Sequence, residues 1–586
     1  MKSLSFLIIF CMLCLYSCSE KTEVKSLNIP SEDWRDFILD INLPLTDGFH
    51  ELDWEWKFFI GEDSGWSLDG LPKFTDFKWV EFPHRYYQPN TPFWYQTKVK
   101  VDFNEPKWMY INADDGVQVY KNQDRIIATN GFYYFLDKLT KGDVLTLRVI
   151  NDAGSGGIRK LGLAKTETAE EHFAKQDSLF QAIQTTYKAL QHLNADDVVG
   201  AKNSREVLEI FESKIDGDKN SLPWIRKYPW LSYHQEGEIS FSTVVANTES
   251  VNILFSKANS SESELIVKME QRENEVFSIR LESKKISKYD HYYLLLSDEF
   301  KSGPFSLNVQ QIAKDKNDAI NLAFWSDCQG GWMRFDSIVK QMIKEPPQLH
   351  IGVGDFVSNG YFETQWHQFF HFGNPLMSSI PGIYIPGNHD YDGYYDFGVA
   401  EVLNQYLLHD KNETVRGYHI DGLYFLGVDL NTQFPIGFSE NPDNVKKLEN
   451  IFQSSEWENA EWRILLVHHP AFGESAIGYG GEAAVRDLLR KANAFHSIDL
   501  VVSGHNHRYE RGIFDDEELG HFMQLTVGGA GRVSERPYTA PLNVMDTVVF
   551  KHHFAQLSFH ANQITGKIIG TDGSLIDEFS FSKKSD

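Results

Sequence analysis

Cysteine is scarce in this 586-residue chain, and its placement tells more than its number. Of the four, Cys11, Cys14 and Cys18 lie near the N-terminus and Cys328 stands alone in the rest. A body with a single thiol forms no internal disulfide, so packing must hold it together. Long apolar runs are missing too: the N-terminal stretch Leu4 to Leu15 is too short to span a membrane. Basic residues are outnumbered, Lys and Arg together numbering 56 against 82 Asp and Glu, and 56 − 82 gives a formal charge of −26. That balance argues against nucleic acid as partner or substrate; otherwise an acidic surface is a solubility feature. There is no internal repeat and no low-complexity segment.

What is present reads as globular. A hydrophobic content of 42% with 14% aromatics excludes a disordered chain, and the length implies two to four domains. Residues 1–17 read as a secretory signal, with Lys2 supplying the charge and Leu4 to Leu15 the apolar core. Their end, Leu15-Tyr16-Ser17-Cys18, resembles a bacterial lipobox, which implies cleavage before Cys18 and lipidation of that residue. The other reading is an ordinary signal peptide that contains a cysteine. With the lipobox, residues 18–29 form a short polar tether. The protein then sits in the cell envelope, on the outer-membrane, periplasmic or surface side, and meets the membrane only through its acyl chains.

Residues 30–165 alternate in short aromatic-rich runs, such as Trp94 to Val101 and Val144 to Val149, and predict a β-sandwich. The landmarks Trp79 to His84, Phe93-Trp94-Tyr95, Asp114 to Asn122 and Gly131 to Phe135 resemble the jelly-roll, galactose-binding-like domain at the front of many glycosidases. That resemblance leaves carbohydrate open as a partner, although most of these aromatics are expected in the core. Residues 166–222 predict a helical connector, with Phe180, Ile183, Tyr187, Leu190 and Leu193 on one face. Strand patterning returns over 223–314, for example Glu238 to Val244 and Tyr292 to Leu296, and the polar run Lys314 to Asp318 suggests a linker.

From residue 319 to 586 short apolar runs end in polar motifs: Ser326-Asp327-Cys328-Gln329, Gly354-Asp355, Gly387-Asn388-His389-Asp390, Val467-His468-His469-Pro470 and Ser503-Gly504-His505-Asn506-His507. Helix-like segments lie between them, so the polar residues should collect at strand C-termini, where sites form in α/β sheets. Carboxylates, one amide and several imidazoles suit borderline and hard divalent metals. A Gly-Asp after a strand is by itself an ordinary turn; the ordered set is the informative feature. Cys328, between two inward residues of an extended run, is expected to face away.

The order of these motifs resembles the calcineurin-like metallophosphoesterase superfamily, and Gly504 to Arg511 looks most like its purple acid phosphatase branch. The resemblance implies an α/β/β/α sandwich over 319–586, preceded at 223–314 by the fibronectin-like domain of purple acid phosphatases. It also implies two divalent ions (Mn, Fe, Zn or Mg) bridged by Asp355. Asp327 and His507 would complete the first site, and Asn388, His468 and His505 the second. His389 would face the substrate, helped by Asp390, and protonate the leaving oxygen. Gln329 stands at the superfamily's usual histidine position; its amide oxygen is at best a weak ligand, and both roles stay open. His469 is either a support for the ligands or a substrate-facing residue.

Departures from the purple branch matter. Ser358 replaces its tyrosinate, so no charge-transfer colour is expected and Fe(III) is not enforced. The paired histidines placed downstream in that branch are missing between Glu474 and Glu482, so substrate selection must differ. Glycine pairs Gly480-Gly481 and Gly528-Gly529 read as turns or as flexible walls. The leading expectation is a lipid-anchored dinuclear phosphoesterase acting on phosphate esters, monoesters first. Phosphodiesters, a phosphorylated glycan, and a carbohydrate-binding surface lipoprotein with little activity are the alternatives.

Overall fold

Strand Ile320–Trp325 is buried at every position but one, and Leu349–Gly352 at all of them. Such runs fit strands covered on both faces. In the computed structural model they lie at the centre of a ten-stranded sheet. Residues 25–584 are described, apart from 29–47, 53, 62–76, 89–90, 104, 114–115, 129–132, 152–154, 235–236, 258–264, 273–274, 310–318, 392–399, 408–413, 432–441, 475–479 and 534–543. The signal segment, Cys18, the tether, the 314–318 linker and parts of the jelly-roll landmarks fall outside the described residues.

The ten-stranded sheet runs Glu270–Gln271, Val276–Glu282, Glu238–Ala246, Trp224–Tyr233, Gly382–Tyr384, Leu349–Gly352, Ile320–Trp325, His553–Phe559, Gln563–Gly570, Leu575–Ser582. This order departs from one expectation. Residues 223–314, expected as a separate fibronectin-like domain, share this sheet, because Trp224–Tyr233 pairs in parallel with its central strands at Ser232↔Gly382. The physical reason is the strand itself: ten residues, largely apolar and buried at all but one position, need cover on both faces and a partner on both edges. The last three strands extend this sheet on its other side, with His553–Phe559 antiparallel to Ile320–Trp325.

The second sheet of the 319–586 region has seven strands in the order Val415–Ile420, Leu423–Val428, Trp462–Leu466, Leu500–Ser503, Gly520–Val527, Tyr509–Asp516, Thr547–Val549. Between the two sheets Leu322, Phe324 and Ile351 meet Phe425, Ile464, Leu466 and Val502. Helices Trp332–Met342 and Glu363–Met377 cover the outer face of the first sheet through Phe335, Phe369 and Trp325. Helices Pro442–Phe452 and Ala483–Asn493 cover the second through Leu448, Leu488 and Val501. Burying one such Phe or Leu contributes about 1.5–3 kcal/mol, so these apolar layers hold the strand ends rigid.

The remaining strands of the 223–314 region, Asn252–Ser256, Leu265–Lys268, His291–Leu295 and Phe300–Ser306, form a five-stranded sheet with Lys25–Leu27. Helix Thr166–His192 buries Ile183, Tyr187 and Leu190, and Tyr187 Oη bonds His371 Nε2 at 3.0 Å, joining the connector to helix Glu363–Met377. Ahead of it, a five-stranded and a six-stranded antiparallel sheet share one core, with Trp56, Phe58 and Tyr95 from one meeting Met109, Ile111 and Ile158 from the other. Most front aromatics are thus core residues. Trp79 is an exception at 58% exposed.

Candidate metal centre

Because Ile320–Trp325 and Leu349–Gly352 run parallel, their following loops emerge at the same edge. Those loops are stitched together by their backbones. Asp327 N donates to Gly354 O at 3.1 Å, and Cys328 N to Asp355 O at 2.9 Å. Asp327, Gln329, Asp355 and His505 all take positive φ, half of the eight non-glycine residues that do so among those described. A strained backbone of this kind persists where its surroundings over-determine it, as at a site. Gly354 at φ +96° is required: a Cβ there would lie 2.5 Å from His468 Nδ1 and 2.6 Å from Gly387 N.

The structure brings three of the expected ligands into one metal-capable group and sets His468 against it. One donor atom from each of Asp327, Asp355 and His507 lies within 4.8 Å of the others. His507 Nε2 stands 3.4 Å from Asp327 Oδ1, and His468 Nε2 stands 3.3 Å from Asp355 Oδ1. His468 Nδ1 bonds the Val353 carbonyl at 2.7 Å, so that nitrogen carries the proton. Its Nε2 lone pair therefore faces a carboxylate oxygen, an arrangement that needs a positive charge between them. Burial alone would lower the His468 pKa, but the Asp355 charge overrides it and pushes the value up to about 10. Burial likewise would raise Asp355, and the His468 and His389 charges hold it well below the usual carboxylate range. A field that strong on Nε2 favours a cation, whether proton or metal.

The buried polar atoms fit a metal as well. Asp327 Oδ1, Asn388 Oδ1 and His468 Nε2 are buried without a hydrogen bond among the described residues. Buried groups of this kind are costly unless a partner takes them, and all three are oxygen or nitrogen donors. The other lone pairs are used to aim the ligands: Asp327 Oδ2 accepts His505 N at 3.0 Å, and Asp355 Oδ1 accepts His389 N at 2.9 Å. Burial holds the His505 pKa well below its ordinary value, which keeps the ring neutral as ligation demands. Gln329 is buried, and its Nε2 donates to Asp355 Oδ2, so its amide reaches the bridging carboxylate.

Two other residues sit differently from expectation. Asp390 does not hold the His389 ring. Its Oδ2 accepts the amides of Asp355 and Gly387 at 2.9 and 2.8 Å, and its Oδ1 those of Phe356 and Val357 at 2.9 and 3.2 Å. The carboxylate is thus consumed in shaping the Asp355 loop. His389 Nδ1 bonds the Ser358 carbonyl at 2.9 Å instead, leaving Nε2 for a substrate. His469 is fully buried with its ring 4.3 Å from that of His505, a packing that fits the supporting role of the two left open by the sequence. Cys328 is buried among Trp325, Trp332 and Phe335, away from the ligands. Gly528 is no flexible wall: a Cβ there would lie 2.2 Å from Asn506 O, so close backbone approach is its role.

Sequence reasoning missed the support beneath His505 and His507. Buried Glu510 accepts Asn506 Nδ2 at 2.9 Å and Glu474 N at 3.1 Å, which fixes the loop between the two histidines. The signal was available, since a carboxylate at an inward position of a buried strand must have partners. Asn431 was missed too; its Nδ2 bonds Pro386 O at 3.1 Å and braces the segment leading to Asn388.

Comparison with known proteins agrees with this geometry. Residues 320–509 match the family model described as calcineurin-like phosphoesterase. "Probable inactive purple acid phosphatase 1" of Arabidopsis thaliana is 25% identical over 236 residues, 36% of this chain and 38% of that protein. "Purple acid phosphatase 5" of the same plant is 25% identical over 152 residues, 25% of this chain and 33% of that one. The chain thus spans well under half the length of the curated relatives it matches. The solved purple acid phosphatase PPD1 from yellow lupin (Lupinus luteus) seeds shares the fold, with a TM-score of 0.50 at 13% identity, over 84% of this chain and 92% of that one. Calcineurin-like and purple acid phosphatase enzymes use a dinuclear metal centre, and the ligand set here is of that kind. Residues 320–509 are therefore a calcineurin-like metallophosphoesterase domain, with purple acid phosphatases among its homologues and structural neighbours.

Proposed function

We propose that this chain is an exported, lipid-anchored phosphoesterase that hydrolyses phosphate monoesters in the manner of an acid phosphatase. The observation that carries the hydrolytic reading is the pair of acid–imidazole contacts, Asp355 with His468 at 3.3 Å and Asp327 with His507 at 3.4 Å, around a common cluster. Asp355 would be shared by the two ions; Asp327 and His507, with Gln329 if its amide turned its oxygen inward, would hold one, and Asn388, His468 and His505 the other. Two divalent cations supply neutralisation of the phosphoryl oxygens and acidify water when bound.

The chain's own groups do the rest. Asp390 and Gly354 shape the loop that aims Asp355. His389, anchored through Nδ1 on Ser358 O, keeps that bond whether neutral or protonated, so its charged form offers an Nε2 proton to the leaving oxygen. His505 is kept neutral by burial and is steadied by the His469 ring. Some relatives are named inactive, which makes a surface lipoprotein with little activity the second reading. The front double sheet, read as jelly-roll-like, and the exposed Trp79 favour a carbohydrate ligand or a phosphorylated glycan substrate within it.

Metal analysis of the purified protein, paired with rates on a monoester and a diester, tests the enzyme. Asp355→Asn should lose metal and several decades of turnover; near-normal activity would sink the dinuclear site. For the anchor, Cys18→Ser should abolish acyl labelling and release the protein from membranes. No helix among the described residues is long and apolar enough to cross a membrane.

A further inference from the structure

The strand Gly520–Val527 ends in a glycine-rich turn that folds back over the Asp327 loop. Ala530 N donates to Ser326 O, and the amides of Gly531 and Arg532 both donate to Asp327 O, each at 3.0 Å. This turn cannot drift from the metal ligands, because a Cβ on Gly531 would lie 2.2 Å from Cys328 O. Arg532 is therefore fixed by its backbone to the residue that begins the first metal site.

Its side chain is fixed as well. Arg532 Nε donates to the Gln329 carbonyl at 2.8 Å, and the terminal nitrogens form no ion pair or hydrogen bond among the described residues. The residue is solvent-exposed, yet its surroundings are crowded: burial lowers its pKa, and the Asp355 charge acts against that. The guanidinium is thus exposed beside the Gln329 loop, within electrostatic reach of Asp355 and with no ion pair to it among the described residues.

We infer that Arg532 is a substrate-binding residue that takes phosphoryl oxygens of the ester and favours the dianion of a monoester over the monoanion of a diester. This rests on the phosphoesterase reading above and narrows its substrate class. A guanidinium held at Nε keeps its remaining N–H donors in a planar fork that matches two oxygens of a phosphate. A dianion offers more charge to that fork than a diester, which esterifies one more oxygen.

The test uses full-length metal-loaded protein with inorganic phosphate as probe, in wild type, Arg532→Gln and Arg532→Lys. Calorimetry should show Arg532→Gln weakening phosphate by on the order of tenfold to a hundredfold, the span of a charge-assisted hydrogen bond. The KM for nitrophenyl phosphate should rise in parallel, the effect on bis(nitrophenyl) phosphate should be smaller, and metal content should not change. Arg532→Lys should recover only part, since lysine has no Nε–H to hold Gln329 O while it reaches the phosphate. Equal phosphate affinity in all three proteins overturns the inference, as does a loss of affinity that tracks a loss of metal. If wild type neither binds phosphate nor cleaves either ester, the phosphoesterase reading itself fails, and the role of Arg532 falls with it.

Discussion

Asp390 Oδ2 accepts the backbone amide of Asp355 at 2.9 Å, which ties the acid next to His389 to the loop of the bridging ligand. Asp390 sits 35 residues from that amide in sequence and is fully buried. Burial and the neighbouring Asp355 charge push its pKa up, and the amides it accepts pull the other way. Its observed role is to hold the conformation of the Asp355 loop.

Asp390→Asn should therefore act on folding and metal first. An amide accepts on one oxygen only, so N–H groups lose their acceptor, at about 1–3 kcal/mol for each left buried. Thermal melting should fall, and the metal concentration needed for half-maximal activity should rise. Excess metal should restore most of the rate. A rate that stays low at saturating metal, in a protein that melts normally, would instead place Asp390 in proton transfer.

His389 is expected to separate from the ligands by its metal content. His389→Ala should keep both metals and lose roughly 10²–10⁴-fold in rate, the usual span for general acid–base catalysis. The loss should shrink for nitrophenyl esters, whose leaving oxygens need little protonation. An equal deficit for good and poor leaving groups would limit His389 to stabilising phosphoryl oxygens. Loss of metal would mean that the ligands around Asn388 are assigned wrongly.

Gln329 Nε2 donates to Asp355 Oδ2, so its amide acts on a metal either through that carboxylate or, if it turns, through its own oxygen. Gln329→His should tighten the metal, and Gln329→Ala should raise the concentration required for activity. Titration of apo protein with Mn²⁺, followed by activity, distinguishes the three forms. Identical curves would remove Gln329 from the ligand set.

Acid should weaken this fold. Burial holds His192 and His234 at about 4 and His350 and His367 at about 3, against an ordinary value of 6.5. With folded-state values below the unfolded one, the unfolded chain binds more protons throughout the window between them. Stability is thus present above 6.5 and falls as pH drops toward 4, by about 1.4 kcal/mol per pH unit for each such histidine. Melting temperatures at fixed metal should decline steadily from pH 7 to pH 5. A flat profile would show that these rings take protons in the folded state.

The ligand set was legible in the sequence because each motif is local. An apolar run predicts a strand, and the polar residues just past its end must gather where parallel strands finish, whichever helices intervene. That order placed Asp327, Asp355, Asn388, His468, His505 and His507 near one another, and the resemblance to the superfamily supplied their expected roles as ligands. What tertiary structure alone decided depends on pairing between distant segments. Asp390 turned from the His389 ring to the Asp355 loop because backbone amides there required an acceptor. His469 went behind His505, since alternate residues leave a loop on opposite sides and only packing chooses between them. Residues 223–314 merged with the catalytic sheet through the edge of Trp224–Tyr233, which periodicity does not reveal. Arg532 reached Gln329 across 203 residues, a contact set by how the Gly531 turn closes on Cys328.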